Sequence, residues 1–450
     1  MHGQINYICT DSDFIANFVD GLYQCQNLKI KSMQLKDISL DQWQDLENLI
    51  KSIEENGINQ TTGCQLAVRF SPIGKIFEEY KGLFSDCMRL NDILKNENII
   101  EDDKKKMEIL KLLKNISKEY QLFLKDISDD DGYKVCKSDN LSTRYYRHLQ
   151  TRWREYKGLP VKKKKGQSNK DVYGNYTSDP DGNFMTPNII QLVNDELAKK
   201  GDRLIEESRL RENLLSSQPL CFNLFGELKL DLDKALQFFN RIYRGYFNSI
   251  DDILFEYNPA RRDPRLTGDR SAFDVFVKYT SKEGKKGFMG IEVKYSETLR
   301  EGTDSVQDIL NKPFCDENRT RRDRYRELSE GLFKPENFEI LEKLPYFQIW
   351  RDHLLAVSML KAFPEEYQEG FFVFLSPHTN KQCRNGAEKY RKLLEETDPI
   401  QSHFDIKWLE DFLDTLNIVF GEDWTEEMGW RYMGRKPKNG KMELRYKNKE

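Results

Sequence analysis

Two short apolar runs carry the charges most suited to chemistry. Phe273-Asp-Val-Phe-Val277 places a carboxylate, Asp274, inside a strand-like pattern, and Gly287-Phe-Met-Gly-Ile-Glu-Val-Lys294 places Glu292 and Lys294 two residues apart in another. Side chains alternate across a strand. This alternation predicts Phe273, Val275, Val277, Met289, Ile291 and Val293 on a core face, and Asp274, Glu292 and Lys294 together on the other. Two carboxylates and a backbone carbonyl, that of Val293, form an oxygen set for a small hard cation, Mg2+ or Mn2+. Such an ion polarises a phosphate and acidifies a bound water, and an adjacent ammonium offsets charge building on the phosphate. The arrangement predicts phosphodiester hydrolysis. In a chain with 32% charged residues an Asp followed by Glu-x-Lys also arises by chance, as a solvated strand face. The apolar setting of both runs argues for the chemical reading.

The elements needed to position these groups are legible around them. Ile253-Leu-Phe-Glu-Tyr257 reads as a preceding strand, with Glu256 a further candidate ligand, and Ser281-Lys-Glu-Gly-Lys-Lys286 as the turn of a hairpin. A helix over about Tyr346 to Leu360 and a strand at Phe371-Phe-Val-Phe-Leu375 follow. This order predicts an α/β fold with a mixed sheet flanked by helices. Upstream, Thr186-Pro187 is a helix start, a hydroxyl cap before a first-turn proline. One helix is expected through Ile189, Leu192 and Val193, and a second from about Asp202 through Leu210, Leu214 and Leu215.

Bulk composition narrows the class. The 450 residues carry a net charge of −4, so a nucleic-acid partner must be met by local basic patches. No apolar run reaches the roughly 18 residues of a membrane-spanning helix. The start has neither the basic nor the apolar region of a signal peptide. Eight scattered cysteines without a C-x-x-C pair fit a reducing cytoplasm and argue against zinc; five dispersed histidines leave carboxylates as metal ligands.

Four regions are expected: a mainly helical segment over 1–158, a basic and polar linker over 159–183, a catalytic domain over 184–430, and a basic tail over 431–450. In the first, Ile109 to Ile127 repeats apolar residues at three and four, the period of one buried helical face. Tyr145, Leu149, Trp153 and Tyr156 form a second such stripe, whose interleaved arginines, with Lys162–Lys165, remain candidates for nucleic acid.

Asp274, Glu292-x-Lys294 and the element order resemble the PD-(D/E)XK nuclease superfamily. Leu214-Leu-Ser-Ser-Gln-Pro-Leu-Cys-Phe-Asn-Leu-Phe-Gly226, Gly268-Asp-Arg-Ser-Ala-Phe-Asp274 and Gly287 to Tyr295 resemble a bacterial family of restriction-endonuclease-like proteins, over roughly residues 184–380. The resemblance implies Asp274, Glu292 and Lys294 as the catalytic set and a divalent ion as cofactor. It also implies an acidic residue on the helix before the first strand, a place open to Glu212 or Glu206. Phe273 stands where the superfamily's name has proline. The expected activity is endonucleolytic cleavage of DNA, with RNA as a further candidate, in bacterial defence. The alternative is a nucleic-acid-binding or scaffolding subunit that does not cut, with residues 1–158 docking a protein partner. For substrate contact the candidates are Arg261 and Arg262 between the first two strands, and Arg319, Arg321, Arg322 and Arg324 in an arginine-rich insertion. Gln348, on the following helix, completes the set. His353 and Cys221 read as structural.

Overall fold

The computed structural model describes residues 108, 111, 132–199, 205–259, 263–297, 299, 304–314 and 316–434, apart from the side chains of 141, 304, 305, 316, 317 and 381. The helical stripe expected over 109–127, Arg261, Arg262 and the tail from 435 lie outside them. Contacts divide the chain into two compact units. In the smaller, the described residues include Asn140, whose Oδ1 accepts from the Thr143 N–H at 2.8 Å. The larger begins at Tyr146, runs to Met433 and contains the sheet.

Among the described residues five α-helices precede the sheet: α1 (Leu141–Tyr156), α2 (Pro187–Ala198), α3 (Glu207–Glu212), α4 (Ser217–Leu230) and α5 (Leu232–Ile242). The expected Thr186 cap is present, its side chain accepting from the Ile189 N–H at 3.2 Å. The helix expected from Asp202 to Leu215 is instead broken. Asn213 ends α3, and Ser216 starts α4 by accepting from the Gln218 N–H. Serine before an apolar run is a strong helix cap, and that local bond outcompetes the continuing periodicity. Nearly the whole of α4 is buried, from Ser217 through Gly226.

The strands β1 (Phe247–Tyr257), β2 (Phe273–Ser281) and β3 (Lys286–Val293) pair antiparallel. After β3 come α6 (Asp304–Leu310), a small ribbon of β4 (Pro313–Phe314) and β5 (Asp316–Thr320), α7 (Arg321–Leu328) and α8 (Tyr346–Ala362). Then β6 (Glu369–Ser376), α9 (Lys381–Arg391), β7 (Phe404–Trp408), α10 (Leu409–Phe420) and α11 (Asp423–Met433) close the unit. Sheet order is β1-β2-β3-β6-β7, with β3, β6 and β7 parallel, so the sheet is mixed as expected. β7 was not expected, since Phe404-Asp-Ile-Lys-Trp408 is short and carries two charges.

Helices flank the sheet. Trp350, Leu354 and Leu355 of α8 share one apolar cluster with Phe276, Phe288, Phe372 and Phe374, while Phe222 of α4 stacks on Phe255 of β1 at 4.2 Å between centroids. Phe273 departs from the expected alternation. Instead of joining Val275 and Val277 it packs with Phe276, and its ring covers Gly290 so closely that a Cβ there would lie 2.4 Å from it. Glycine at 290 is what allows β3 to pass beneath that ring.

Residues 146–183 belong to the sheet-bearing unit, which departs from the boundary at 184 and from the linker expected over 159–183. Polar contacts hold this stretch. Arg147 Nη1 donates to Asn175 Oδ1 at 2.8 Å, Arg154 Nε to the Gly174 carbonyl at 2.6 Å, and the Thr177 N–H to the Glu212 carbonyl at 2.9 Å. The stripe Tyr145, Leu149 and Trp153 is buried as expected; Arg147 and Arg154 are buried with it and so are not free for a ligand. From the other end of the unit, Arg431 of α11 is buried beneath Trp153, its guanidinium 3.8 Å from the ring centroid. Arg431 Nε donates to Gln150 Oε1 and Gln150 Nε2 to the Arg431 carbonyl, both at 2.9 Å.

Replacing Gly290 with valine should push Phe273 off β3 and cost about 1–3 kcal/mol, the usual range for overpacking. Chemical denaturation checks this, and Phe273→Ala added to Gly290→Val should recover part of the loss.

Candidate active site

The β2–β3 ladder ends at Val275↔Ile291 although both strands run two residues further. Beyond that pair the Val293 N–H, freed from a backbone partner, donates to Asp274 Oδ2 at 2.8 Å. In an antiparallel pair the N–H and C=O of one residue point to the same neighbour, so the Val293 carbonyl faces the same gap. On β1, Glu256 sits at φ +48°, a left-handed conformation that costs a non-glycine residue of order 1 kcal/mol or more and tends to mark functional sites. Its Oε1 accepts from Gln218 Nε2 of α4 at 2.7 Å. Lys294 Nζ donates to Glu292 Oε1 at 2.5 Å. The Glu292 and Lys294 side chains are 15% and 18% exposed, deep in the surface yet within reach of solvent.

The electrostatics follow from this crowding. Burial pushes the Asp274 carboxyl well above the usual carboxylate range, and the neighbouring Glu292 and Glu256 push it further. Burial likewise raises Glu256 despite the Gln218 bond, with Glu292 adding to it. For Lys294, burial alone would lower the pKa, but Glu292, Asp274 and Glu297 outweigh it and keep the ammonium charged. Negative charge is in surplus here, and the surplus faces an ammonium.

Glu297, not foreseen, completes the group. Its Oε1 accepts from the Ser217 N–H at 3.0 Å and from Arg209 Nη2 at 3.2 Å, and its Oε2 from the Tyr295 N–H at 2.8 Å. Burial would raise this carboxyl, but Lys294 and these donors hold it below its ordinary value. Gln218 was also missed, though it lies in the Ser-Ser-Gln-Pro run singled out in the sequence. Asp352 of α8 is buried, and burial together with Glu292 lifts it to about 7 although Arg351 pulls it down.

The remaining candidates separate. Glu212 is ion-paired with Lys162, and Glu206 is exposed and accepts from Ser208 Oγ, so neither joins Asp274 and Glu292. Arg319 pairs with Glu327. Arg322 is held by Glu342, Asn311 and Gln307, and Arg324 by Glu327 and the carbonyls of Leu266 and Arg265. Acidic, amide and backbone acceptors of the protein itself thus absorb three of the four proposed arginine contacts of the insertion; Arg321 is the exception. Gln348 is half-buried on α8, where Arg351, three residues on, lines a cavity. His353 is buried between Tyr390 Oη and the Ser402 carbonyl, and burial lowers it to about 3, a structural histidine as expected. Cys221 is buried, and burial followed by Asp274 and Glu256 raises its thiol well above normal, so it is no nucleophile.

Among the described residues no three His, Cys, Asp or Glu side chains form a ready-made metal cage. The donor chemistry still fits a hard divalent cation. Mg2+ is commonly held by one or two carboxylates, with waters and substrate phosphates filling its other positions, and a cation would relieve the repulsion that raises Asp274.

The mixed sheet thus gathers Asp274, Glu292 and Lys294 at its splayed strand end. The chain belongs to the PD-(D/E)XK nuclease superfamily, whose family model matches residues 137–434, well over half of its length. The match takes in α1 and residues 159–183, in keeping with their place in the sheet-bearing unit. Comparison with curated proteins and with solved structures gives no match. Among the described residues no helix is long and apolar enough to cross a membrane.

Because Asp274 carries a raised pKa, its folded form favours the proton. The stability this lends is present below about pH 4 and is lost as pH rises through the folded value. Asp274→Asn keeps the acceptor for Val293 and removes the charge. It should raise the melting temperature by a few degrees at pH 8 and by little at pH 4. Thermal melts at the two pH values check this.

Proposed function

We propose that the chain is a metal-dependent endonuclease that hydrolyses phosphodiester bonds of DNA, acting in bacterial defence against foreign DNA. The observation that carries the reading is the crowding of Asp274, Glu256 and Glu292 around the Lys294 ammonium at the open end of β2 and β3. A surplus of buried carboxylate charge is costly to hold. It is what a site keeps when a divalent ion and a phosphate are to complete it.

Asp274, Glu292 and the Val293 carbonyl would hold Mg2+ or Mn2+, with Glu256 beyond them. A bound divalent ion supplies Lewis acidity to the phosphate and a more acidic water. The chain's own residues do the rest. Lys294, kept protonated by its carboxylate neighbours, offsets charge developing on the phosphate and orients the attacking water. Gln218 fixes Glu256 through its amide. Ser217 and Tyr295 fix Glu297 through their N–H groups, which holds a second carboxylate beside Lys294 without placing it among the ligands.

Plasmid DNA incubated with the protein and Mg2+ or Mn2+ should be degraded, and a chelator should stop it. Glu292→Ala and Lys294→Ala should each lower the rate by about 100-fold or more, the size of effect seen when one transition-state contact is removed. A wild-type protein inert on duplex DNA, single-stranded DNA and RNA with either ion would overturn the reading. Cutting restricted to RNA would overturn the choice of DNA. Phage plating on cells expressing wild type or Glu292→Ala tests the defence role: equal plaque counts would exclude it.

A further inference from the structure

A cavity of about 520 Å3 opens beside α8, lined by Asp269, Arg270, Ile309, Lys312, Arg321 and Arg351. Four of these six are cations, and they come from separate elements: the loop before β2, the turn after α6, the first residue of α7, and α8. The volume falls within the about 300–1,000 Å3 of typical ligand sites and takes a nucleotide unit.

The charge balance inside it is uneven. Asp269, the one acid, is engaged from within the protein: its Oδ1 accepts from the Ser271 N–H at 2.8 Å and from Thr267 Oγ1 at 3.0 Å, and its Oδ2 accepts from the Tyr325 hydroxyl. Arg351 leans back on Asp352, Nε to Oδ1 at 3.3 Å. Ion pairs in the arginine-rich segment fall on Arg319, Arg322, Arg324 and Arg326. Among the described residues Arg270, Lys312 and Arg321 take part in none, and Arg321 Nε is buried with no hydrogen-bond partner. A buried guanidinium nitrogen without an acceptor is unfavourable unless a ligand supplies one.

Backbone bonds rather than acids hold these cations in place. The Arg321 N–H donates to the Lys312 carbonyl at 3.0 Å, closing the β4–β5 ribbon. Thr320 and Asp323 cap α7 reciprocally, which fixes where Arg321 leaves the helix. On the far wall Arg351 interacts electrostatically with Asp352, with Asp269 and, more weakly, with Glu292.

We propose that this cavity is a phosphate subsite that seats a backbone phosphate of the substrate strand away from the scissile bond, with Arg321, Lys312 and Arg270 as binding residues. The inference rests on the nuclease reading and adds to it where the strand runs: from the open end of β3 along α8 to the β4–β5 ribbon. A free nucleotide offers the same phosphate chemistry, so the test separates the two sources.

Binding of a fluorescein-labelled DNA duplex is measured by anisotropy between 50 and 300 mM salt, in a Glu292→Ala background that cannot cut. Arg321→Gln and Lys312→Gln should each weaken binding by about 3–10-fold and reduce the salt slope by about one, the signature of a lost phosphate contact. Lys285→Gln, the same charge change in the β2–β3 turn, should leave the slope unaltered. Arg321→Gln should also keep or raise the melting temperature, since it removes an unpartnered charge, and inorganic phosphate should stabilise the parent but not this variant. Slopes equal to that of Lys285→Gln, or a lowered melting temperature in Arg321→Gln, would overturn the subsite. A mononucleotide that binds through Arg321 while duplex affinity ignores it would overturn the strand path in favour of a free ligand. A wild-type protein that neither binds nor cuts nucleic acid is a failure of the nuclease reading. One that cuts at limiting DNA as well with Arg321→Gln as without it is a failure of this inference alone.

Discussion

Repulsion among buried carboxylates at one end of a sheet organises this molecule. Asp274 and Glu256 lie where desolvation and the charge of Glu292 oppose ionisation, and Lys294 offsets only part of the burden. The backbone yields at the same place. The β2–β3 ladder stops early, a carboxylate oxygen takes the place of a carbonyl on the Val293 N–H, and Glu256 adopts a left-handed conformation. The proposed site and the strained backbone coincide, in keeping with the tendency of local rules to be broken at functional positions.

Helix α4 carries the supporting structure. Gln218 holds Glu256 and the Ser217 N–H holds Glu297, so the first turn of one buried helix positions carboxylates from two segments of chain. This accounts for why Ser-Ser-Gln-Pro is followed by a helix that is buried on nearly every side. It is a strut between the strand ends, and its polar turn is aimed where the sheet opens. Asp352 and Arg351 of α8 bring charge from another helix.

The convergence of Asp274, Glu292 and Lys294 and the hairpin beneath them were legible in the sequence, because alternation with a charge in an apolar strand is a local pattern. The capped start of α2 and the mixed sheet were legible for the same reason. Three features were not. Whether Arg319, Arg322 and Arg324 face a ligand or an internal acid depends on Glu327, Glu342 and carbonyls that only the tertiary fold brings near. The placement of residues 159–183 rests on buried polar contacts of Asn175, Thr177 and Asn183, which leave no hydrophobic period to read. Phe273 left its expected face because Gly290 opens a space on the opposite one, a pairing between strands that one strand's pattern does not contain.

The clasp between Gln150 and Arg431 bears on when the end of β3 becomes fixed. Tyr295, the residue after Lys294, receives a hydrogen bond from Gln150 and donates one to the Tyr432 carbonyl. The site end of β3 is thus tethered to the last described helix. During synthesis on the ribosome every proposed ligand is made long before that helix, yet the tether cannot form until it has emerged. A nascent chain therefore holds Asp274, Glu292 and Lys294 before it holds the brace, and the end of β3 gains its tether only once α11 has been made.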